Sequence, residues 1–490
     1  MRNPIKISLI VLFILTHFTA VAQDSTCLDN YLWVKKTFEE NYAGFDYVLS
    51  LKGKESYQKH KQVFLKKIKA INKPLECTQA LYQWLTFFRK GHIAIRTINP
   101  QQNTKSQTTE PSKQELQAKY KDWQTLKTNE KAFKKHLTKT KKLSPYEGIW
   151  SSPPYTIGIK KVNNQLLGFI LEAKNNYWSQ GQIKLKMNEN ASHATFYMRD
   201  HSAVETDTIE LLEDKYLTIG NVSLKRVFPL IDDDKSMERY LKLMQSNQAV
   251  FQKLSNKTVL LRIPSFAFAN KKQIDIVIKD NKKIITSSKN LIIDIRNNGG
   301  GSDSSYAEIL PLIYTNPIRT VGVEFLSSKL NNQRMLGFIN NPDWSKKDKK
   351  WAKKSYKKLN QHLGEFVDLN ETIVSTKTLN KVYKYPENVA ILINHGNAST
   401  SEQFLLAAKQ SRKVKLYGTT TVGMLDVSNM NFVKSPNGDF ELGYSLSKSH
   451  RIPEMAIDGK GIMPDFYLDE TIAKHQWVEY VQTLLEGNKP

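Results

Sequence analysis

Three short segments of this 490-residue chain contain residue types that could hydrolyse an acyl bond. In the first, an apolar run ends in Gly299, Gly300 and Gly301. Glycine lets the backbone turn its N–H groups toward a ligand, so this turn could form half of an oxyanion hole. A flexible connection and a phosphate cradle are the alternatives, although neither the dinucleotide spacing nor the Walker lysine is present.

The second segment is HGNASTSEQF at residues 395–404, where a buried-type strand is followed by a turn of small residues. Ser399 lies where a helix would begin, so its Oγ would be exposed and the helix dipole would favour an anion nearby. The N–H of Thr400 would then supply a second oxyanion donor. The spacing of Ser399 and Glu402 is also that of a capping box, so a purely structural role is the alternative.

The third segment is DGKGIMPD at residues 458–465, a stretch rich in turn-forming residues. Asp458 could orient an imidazole, as the third member of a catalytic triad does. Taken alone, it is a turn aspartate. Its catalytic interpretation depends on its combination with the other two segments.

The order and the amino-acid sequences of these segments resemble those of the tail-specific, or C-terminal processing, serine peptidases. That family has a strand like LILDLRNNGGG, a nucleophile turn like SASE and a G-x-G-I-x-P-D element, which correspond here to residues 291–301, 399–402 and 459–465. LRIPSF at residues 261–266 also looks like the strand that opens the family's core. The resemblance covers about residues 255–470. It implies that Ser399 is the nucleophile, with Gly299 or Gly300 and Thr400 as oxyanion donors.

One position at which this sequence differs from the better-known branch of the family bears on the identity of the general base. The better-known branch of the family pairs its serine with a lysine in a T-x-G-K element, but residues 421–424 here are TVGM. Methionine cannot accept a proton, so this dyad is excluded. The other branch resembles the tricorn-protease core and the interphotoreceptor retinoid-binding protein. Its peptidases use a histidine, and Gly91 and His92 match that motif.

The resemblance to this second branch implies that His92 is the general base and that Asp458 is its acidic partner. A tricorn-like sequence has serine where Gly91 stands and glutamate where Asp458 stands, so the hydrogen bonds around the base could differ. His395 and His450 are the rival bases, because each lies near one of the other catalytic segments in sequence.

Together these residues predict a serine endopeptidase that cleaves protein or peptide substrates through an acyl-enzyme on Ser399. A histidine with a pKa near neutrality can accept the serine proton and return it to the leaving amine. A non-catalytic ligand- or peptide-binding protein and an esterase-type acyl hydrolase on the same scaffold are the alternatives. No cofactor is implied. No metal site is predicted either, because His193 and His201 are too weakly patterned to be ligands.

Four regions must position these residues. We predict a signal peptide at 1–22, an N-terminal helical region at 23–142, a small antiparallel β-domain at 145–235 and an α/β peptidase core at 255–490, from changes in apolar periodicity. The resemblance implies that the core is a spiral of ββα units like that of crotonase and Clp protease. No PDZ-like carboxylate-binding loop is found. The β-domain occupies that interval, where it could dock substrate, gate the cleft or brace the helical region.

Residues 1–22 predict export. Arg2 and Lys6 form a basic start, an apolar run occupies residues 7–15, and residues 20–22 are a small-x-small cleavage site. An uncleaved anchor is the alternative, although the run is short for a bilayer. No later stretch of roughly 18 apolar residues is present, so a multi-span membrane protein is excluded. The mature protein is therefore expected in the periplasm or outside the cell.

Two cysteines follow the predicted cleavage site, Cys27 and Cys77. An oxidising compartment favours their pairing, and closing a loop of about 50 residues would stabilise the fold by roughly 4 kcal/mol. Two buried free thiols are the alternative. Neither cysteine has an activating motif, so neither is expected to be catalytic.

The composition limits the remaining classes of function. Hydrophobic residues make up 40% of the chain, which argues against intrinsic disorder over its length. Lys and Arg number 72 against 47 Asp and Glu, a net charge of +25. No recognition module with interleaved aromatics accompanies this charge, so nucleic acid is not an expected partner. A modest attraction to acidic partners is compatible with the charge, and no oligomeric state is predicted.

Overall fold

The computed structural model describes residues 26–71, 73–98, 115, 118–174, 177–231 and 235–487. The chain forms two compact units, Met1–Gln101 together with Ser236–Pro490, and Gln102–Lys235. The predicted signal peptide, residues 1–22, lies outside the described residues. Within the described ranges, no helix is both long enough and apolar enough to cross a membrane.

The helices are numbered here in chain order. They are α1 (Cys27–Asn41), α2 (Phe45–Lys52), α3 (Lys54–Lys69), α4 (Pro74–Leu85), α5 (Glu130–Lys139), α6 (Lys235–Gln245), α7 (Lys271–Ile285), α8 (Leu310–Ile313), α9 (Lys329–Asn340), α10 (Lys346–Asn360), α11 (Thr400–Ala408) and α12 (Trp477–Leu485). Short 3₁₀ helices span Phe268–Asn270, Asp303–Tyr306 and Lys474–Gln476.

The strands are numbered in the same way. They are β1 (Ala94–Thr97), β2 (Gly148–Ser152), β3 (Tyr155–Val162), β4 (Gln165–Ala173), β5 (Ile183–Asn188), β6 (Ala194–Tyr197), β7 (Ala203–Thr206), β8 (Ile209–Leu212), β9 (Tyr216–Ile219), β10 (Val222–Phe228), β11 (Val250–Lys253), β12 (Thr258–Arg262), β13 (Asn290–Asp294), β14 (Ile318–Val321), β15 (Val323–Leu326), β16 (Phe366–Asp368), β17 (Val374–Lys377), β18 (Asn388–Ile393), β19 (Val414–Gly418), β20 (Val427–Lys434), β21 (Phe440–Ser449) and β22 (Phe466–Tyr467).

The central sheet of the first unit has the strand order β11-β12-β13-β18-β19-β22. β11 is antiparallel to β12, and the pairs from β12 to β22 are parallel. β12 and β13 are buried at every position, as expected for a parallel sheet covered on both faces. β13 and β18 are direct neighbours, with Asp294 paired with Leu392. The loops that follow them, with Gly299 and Ser399, therefore leave the sheet at the same edge.

A second sheet of this unit connects the N-terminal segment to the C-terminal half of the chain. β1 pairs antiparallel with the long strand β21, with Ala94 opposite Gly443. β21 also pairs with β15 and β20, and β15 pairs with β16. Because His92 lies just before β1, this pairing fixes its position relative to β21.

An aromatic core joins the N-terminal helices to β21. Phe38 of α1 and Trp84 of α4 are fully buried, with ring centroids 6.0 Å apart. Tyr444 of β21 contacts Phe38 at 6.5 Å between centroids. Burying such side chains stabilises the folded state by roughly 1.5–3 kcal/mol each. A disulfide between Cys27 and Cys77 links α1 to α4.

The second unit is built on a nine-stranded antiparallel sheet with the order β7-β6-β5-β4-β3-β2-β10-β9-β8. Helix α5 packs against this sheet, where Phe133 contacts Phe169 at 5.0 Å between ring centroids. The periodicity of the sequence groups α5 with the N-terminal helices. In the structure it belongs with the sheet, because its apolar residues Phe133 and Leu137 are buried among strand side chains.

Candidate active site

Ser399 is the residue before the first turn of α11, in the loop that follows β18. Its backbone has φ 58° and ψ −122°, a combination that residues other than glycine rarely adopt. Such strain persists only where the surroundings hold it, and it is concentrated at functional sites. Ser399 is half-buried at the helix N-terminus, where the helix dipole favours negative charge.

The glycine turn lies directly against this serine. A Cβ atom added to Gly300 would lie 2.7 Å from the Ala398 oxygen, 2.8 Å from the Thr400 nitrogen and 2.9 Å from Ser399 Cβ. Gly300 also has φ +100°, so only glycine allows this approach. The Gly300 N–H donates to Asn298 at 3.0 Å. The neighbouring residue Gly299 is exposed, and its N–H has no hydrogen-bond partner among the described residues.

Asn298 holds the glycine turn in place. Its buried Oδ1 accepts from the N–H groups of Gly300 at 3.0 Å and Phe266 at 3.2 Å. Its Nδ2 donates to the Ile263 oxygen at 3.1 Å. Its carbonyl oxygen accepts from the Ser401 hydroxyl of α11 at 2.7 Å. Asn298 therefore connects the segment after β12, the turn after β13 and helix α11, a role that the sequence did not predict.

Glu402 connects Ser399 to a distant loop. It is fully buried, and its Oε2 accepts from the N–H groups of Ser399 at 3.1 Å and Met424 at 2.8 Å. Its Oε1 accepts from the Thr421 hydroxyl at 2.6 Å and the Gly423 N–H at 2.7 Å. Burial raises the pKa of Glu402, while these donors stabilise its charged form. The capping-box spacing predicted only the local bond to Ser399.

Met424 brings the N-terminal segment to the same place. It stands where the lysine-using branch has its base, and it packs against Gly91. A Cβ atom added to Gly91 would collide with the Met424 Sδ and Cε atoms. A series of contacts therefore runs from Ser399 through Glu402 and Met424 to the residue before His92. The serine that a tricorn-like sequence has in place of Gly91 would require Met424 to move.

His92 has φ 53° and a half-buried side chain. Its Nδ1 lies 3.0 Å from the carbonyl oxygen of Val427. Because a carbonyl can only accept, the ring carries its proton on Nδ1 and leaves Nε2 unprotonated. Burial lowers the pKa of His92, and the positive charge of Arg89 lowers it further. A neutral ring with a lone pair on Nε2 is what a general base requires.

Asp458 makes no hydrogen bond to His92 within the described part of the chain. Its Oδ1 accepts from the N–H groups of Leu425 at 2.6 Å and Asp426 at 2.8 Å. Its Oδ2 accepts from Arg89 Nη2 at 2.8 Å. The direct pair implied by the resemblance is therefore not what the structure contains, because Arg89 and backbone N–H groups occupy both carboxylate oxygens.

Arg89 connects the Asp458 carboxylate to the surroundings of His92. The side chains of this ion pair are only 11% and 16% exposed, so solvent screens it weakly. Arg89 also donates through Nη1 to the Val427 carbonyl, the group that accepts from His92. Asp458 therefore contacts the surroundings of the imidazole through Arg89 and makes no hydrogen bond to the ring itself.

The two rival bases have different surroundings. His395 is exposed in the turn that precedes Ser399. His450, just after β21, has its Nε2 2.6 Å from Asp368 Oδ1. The ring of His450 is therefore engaged by a carboxylate.

Two carboxylates lie close to His450. One ligand atom each of Glu324, Asp368 and His450 lies within 4.8 Å of the other two. Lys448 Nζ is 3.2 Å from Glu324 Oε1, so an ammonium of the chain already neutralises one carboxylate. Ser399, His92 and Asp458 do not belong to this group.

Comparison with known proteins finds similarity in the C-terminal region. Residues 257–468 match the sequence model of Peptidase family S41. A probable CtpA-like serine protease of Staphylococcus saprophyticus subsp. saprophyticus is 34% identical over an alignment of 125 residues, which covers 21% of this chain and only 23% of that protein. The predicted resemblance to the tail-specific serine peptidases is confirmed for this region. The comparisons support a serine-type peptidase.

Solved structures extend the similarity over most of the chain. The structure of mature CPAF complexed with lactacystin has a TM-score of 0.51 at 12% identity, covering 94% of this chain and 99% of that chain. The photosystem II D1 C-terminal processing protease has a TM-score of 0.39 at 13% identity, covering 92% of this chain and 95% of that chain. The similarity to CPAF shows a shared fold of mixed helices and sheets, which confirms the α/β prediction in this coarse form.

Proposed function

We propose that this chain is an exported serine endopeptidase that hydrolyses peptide bonds through an acyl-enzyme on Ser399. The observation that carries the proposal is the strained turn of Ser399, which lies against Gly300 and shares the Glu402 carboxylate with Met424. The match of residues 257–468 to Peptidase family S41 supports the reaction class.

In the proposed reaction, Ser399 Oγ attacks the substrate carbonyl carbon while His92 Nε2 takes the hydroxyl proton. The carbonyl electron pair moves to oxygen, and the N–H groups of Gly299 and Thr400 stabilise the resulting oxyanion. Collapse of the tetrahedral intermediate breaks the C–N bond, and His92 gives the proton to the leaving amine. Water then attacks the acyl-enzyme by the same steps and releases Ser399.

Between the two glycines that the sequence left open, we propose Gly299 as the oxyanion donor. The Gly300 N–H already donates to Asn298, whereas Gly299 is exposed. Gly300 has a steric role in this account, because the lack of a side chain lets the turn approach Ser399. The two neighbouring glycines thus have separate functions.

Asp458 is a positioning residue in this proposal. It accepts hydrogen bonds from the backbone just before Val427 and pairs with Arg89, which also donates to the Val427 carbonyl. That carbonyl sets the tautomer of His92. The negative charge of Asp458 also favours the imidazolium that forms during attack, since it acts to raise the pKa of His92 against the larger effect of burial.

Two finer parts of the proposal concern the core and the compartment. The parallel strands β12, β13, β18 and β19, with α7 between the first two and α11 between the last two, support a crotonase-like ββα spiral for residues 255–490. The disulfide between Cys27 and Cys77 supports an oxidising compartment. Together with the predicted signal peptide at 1–22, it favours the periplasm or the cell exterior.

Cleavage of unfolded casein tests the function. The purified mature protein is compared with Ser399→Ala, His92→Ala and Ser304→Ala variants whose folding is verified by circular dichroism. We expect cleavage by the parent and by Ser304→Ala, which changes an exposed serine near the site, and loss in the other two. If cleavage is lost in Ser399→Ala but not in His92→Ala, the general base would instead be assigned to His395 or His450. No cleavage of casein or of ester substrates by the parent would contradict an acyl hydrolase and favour a binding protein.

A further inference from the structure

The second unit has a cavity of about 470 Å³ on its nine-stranded sheet. This volume is within the usual range for small-molecule sites. The walls are mainly apolar and aromatic, but they include two cationic side chains. The lining residues that matter here are Tyr155, Tyr177, Lys184, Phe196, Met198 and Arg199.

Lys184 of β5 is an unusual wall residue because it is only 1% exposed. Its Nζ lies 4.2 Å from the Tyr155 ring centroid and 4.0 Å from that of Trp178. It donates to the carbonyl oxygens of Tyr197 at 2.8 Å and Met198 at 3.4 Å. No carboxylate lies within ion-pair distance of Lys184 in the described ranges, so its charge is not neutralised there by a side chain.

This arrangement disfavours the charged form of Lys184. Burial lowers the pKa of Lys184 to about 7, although the negative charge of Asp200 acts in the opposite direction. A lysine is rarely kept in such surroundings without a negatively charged partner, because desolvating an unpaired charge is expensive. A bound anion would supply the missing partner and stabilise the ammonium.

A hydrogen-bond donor of the cavity wall also lacks an acceptor. The Tyr155 hydroxyl is buried without a hydrogen-bond partner among the residues that the structure describes. Buried polar groups in folded proteins are nearly always paired, so this hydroxyl points to an acceptor supplied by water or by a ligand. An acceptor that also carries negative charge would match Lys184.

Arg199 adds a second positive charge to the wall. Its guanidinium carbon lies 4.5 Å from the Tyr177 ring centroid, so the cation is stacked on an aromatic face. Two cations disfavour a positively charged ligand, while the apolar remainder of the wall disfavours a highly charged polyanion. The matching ligand has one negative charge and an apolar body.

We propose that this cavity is a binding site for a carboxylate attached to an aromatic or aliphatic body, with Lys184 and the Tyr155 hydroxyl holding the carboxylate. The apolar body would pack against Phe196 and Met198. Two kinds of ligand carry such a carboxylate, a free organic acid and the C-terminal residue of a peptide. The cavity belongs to the second unit and Ser399 to the first, and the existence of the site does not depend on the proposed peptidase activity.

Isothermal titration calorimetry on the full mature chain tests the proposal. The probes are 3-phenylpropionate, the uncharged 3-phenylpropionamide, and an N-acetylated dipeptide that ends in phenylalanine with a free or an amidated carboxyl group. The background is Ser399→Ala, so that peptides are not cleaved. We expect the acid to bind about tenfold or more tightly than its amide, since a hydrogen bond to a charged group is lost. Binding of the free dipeptide but not of 3-phenylpropionate would assign the source to peptide C-termini.

Three variants separate the site from a general effect of charge. Lys184→Met keeps the length of the side chain without its charge and should weaken binding of the acid about tenfold or more. Lys186→Met removes a charge two positions along the same strand and should leave binding unchanged. Tyr155→Phe removes only a hydroxyl and should also weaken binding of the acid. This variant therefore tests the proposed site if Lys184→Met does not fold. Equal binding of acid and amide, no binding of any probe, or equal losses for the two lysine variants would overturn the proposal.

Discussion

His92 Nδ1 donates a hydrogen bond to the carbonyl oxygen of Val427 across 3.0 Å. In a Ser–His–Asp triad this position is occupied by a carboxylate, which fixes the tautomer and stabilises the imidazolium. Here a backbone carbonyl fixes the tautomer, and the acidic residue Asp458 acts through Arg89 and the loop that contains Val427. In the proposed mechanism, the Val427 carbonyl therefore orients the base His92, and Asp458 contributes the negative charge that stabilises its protonated form.

The pH dependence of activity should follow from the lowered pKa of His92. Burial and the positive charge of Arg89 lower this pKa below its usual value of 6.5. Because the base works only when unprotonated, the acid limb of the kcat/KM profile should have its midpoint below pH 6.5. Arg89→Gln removes a positive charge, so the pKa of His92 should rise and the acid limb of the kcat/KM profile should move to higher pH.

The exposed neighbour Lys90 provides the control for this change. Lys90→Gln removes the same charge from solvent and should leave the acid limb in place, because solvent screens exposed charges. If the limb stays in place in Arg89→Gln as well, His92 is not the group that titrates.

Glu402→Gln should lower both stability and activity. A glutamine side chain has one acceptor oxygen and an NH₂ group, so at least one of the donors from Ser399, Thr421, Gly423 and Met424 would face another donor. An unsatisfied buried donor costs about 1–3 kcal/mol. Urea titration should show this loss in the free energy of unfolding, and casein cleavage should fall with it.

Glu454→Gln is the matched control, since Glu454 is exposed. Its free energy of unfolding should stay within about 0.5 kcal/mol of the parent value. An unchanged free energy of unfolding in Glu402→Gln would contradict the hydrogen bonds assigned to this carboxylate.

The two neighbouring glycines should respond differently to alanine. Gly300→Ala places a Cβ atom within 3 Å of backbone atoms of residues 398 and 400 and at a φ of +100°, so it must displace Ser399. Misplacing a reacting group by about 1 Å can cost about a hundredfold in rate. Gly299→Ala places its Cβ in open space and keeps the N–H, so casein cleavage should be nearly unchanged. Similar losses for both variants would contradict the separate functions proposed for them.

Reduction should destabilise the N-terminal helices. Opening the disulfide between Cys27 and Cys77 releases a loop of about 50 residues and should lower the free energy of unfolding by roughly 4 kcal/mol. Urea unfolding with and without dithiothreitol measures this difference. The double variant Cys27→Ser/Cys77→Ser should match the reduced parent and should not respond to dithiothreitol. A parent that is insensitive to reductant would show that the bond contributes nothing to stability.

The meeting of the glycine turn and Ser399 could be anticipated from the sequence. Both follow apolar runs of the length and composition of buried parallel strands, and such strands place the loops at their carboxyl ends together. The structure has β13 and β18 as direct neighbours, so the two loops meet at one edge. Local pattern was sufficient here because each half of the arrangement is encoded within about a dozen residues.

The contacts around His92 could not be anticipated in the same way. Arg89 and Asp458 are 369 positions apart, and no periodicity or spacing relates residues at such a separation. The His92 Nδ1–H donates to a backbone carbonyl, and because every residue has such a group, the sequence does not indicate which one accepts. Glu402 was visible only as a helix cap, because its bonds to Thr421, Gly423 and Met424 depend on how a distant loop folds back.

Ser399 is proposed as a nucleophile that His92 activates. The most direct measurement is the intact mass of the folded protein after incubation with a fluorophosphonate, which forms a phosphonyl ester with an activated serine and releases fluoride. We predict that the parent gains one phosphonyl group, located on Ser399 by peptide mapping, and that Ser399→Ala gains none. His92→Ala should react about a hundredfold or more slowly, since the general base is removed. An unlabelled parent, or a label that persists in Ser399→Ala, would contradict the account.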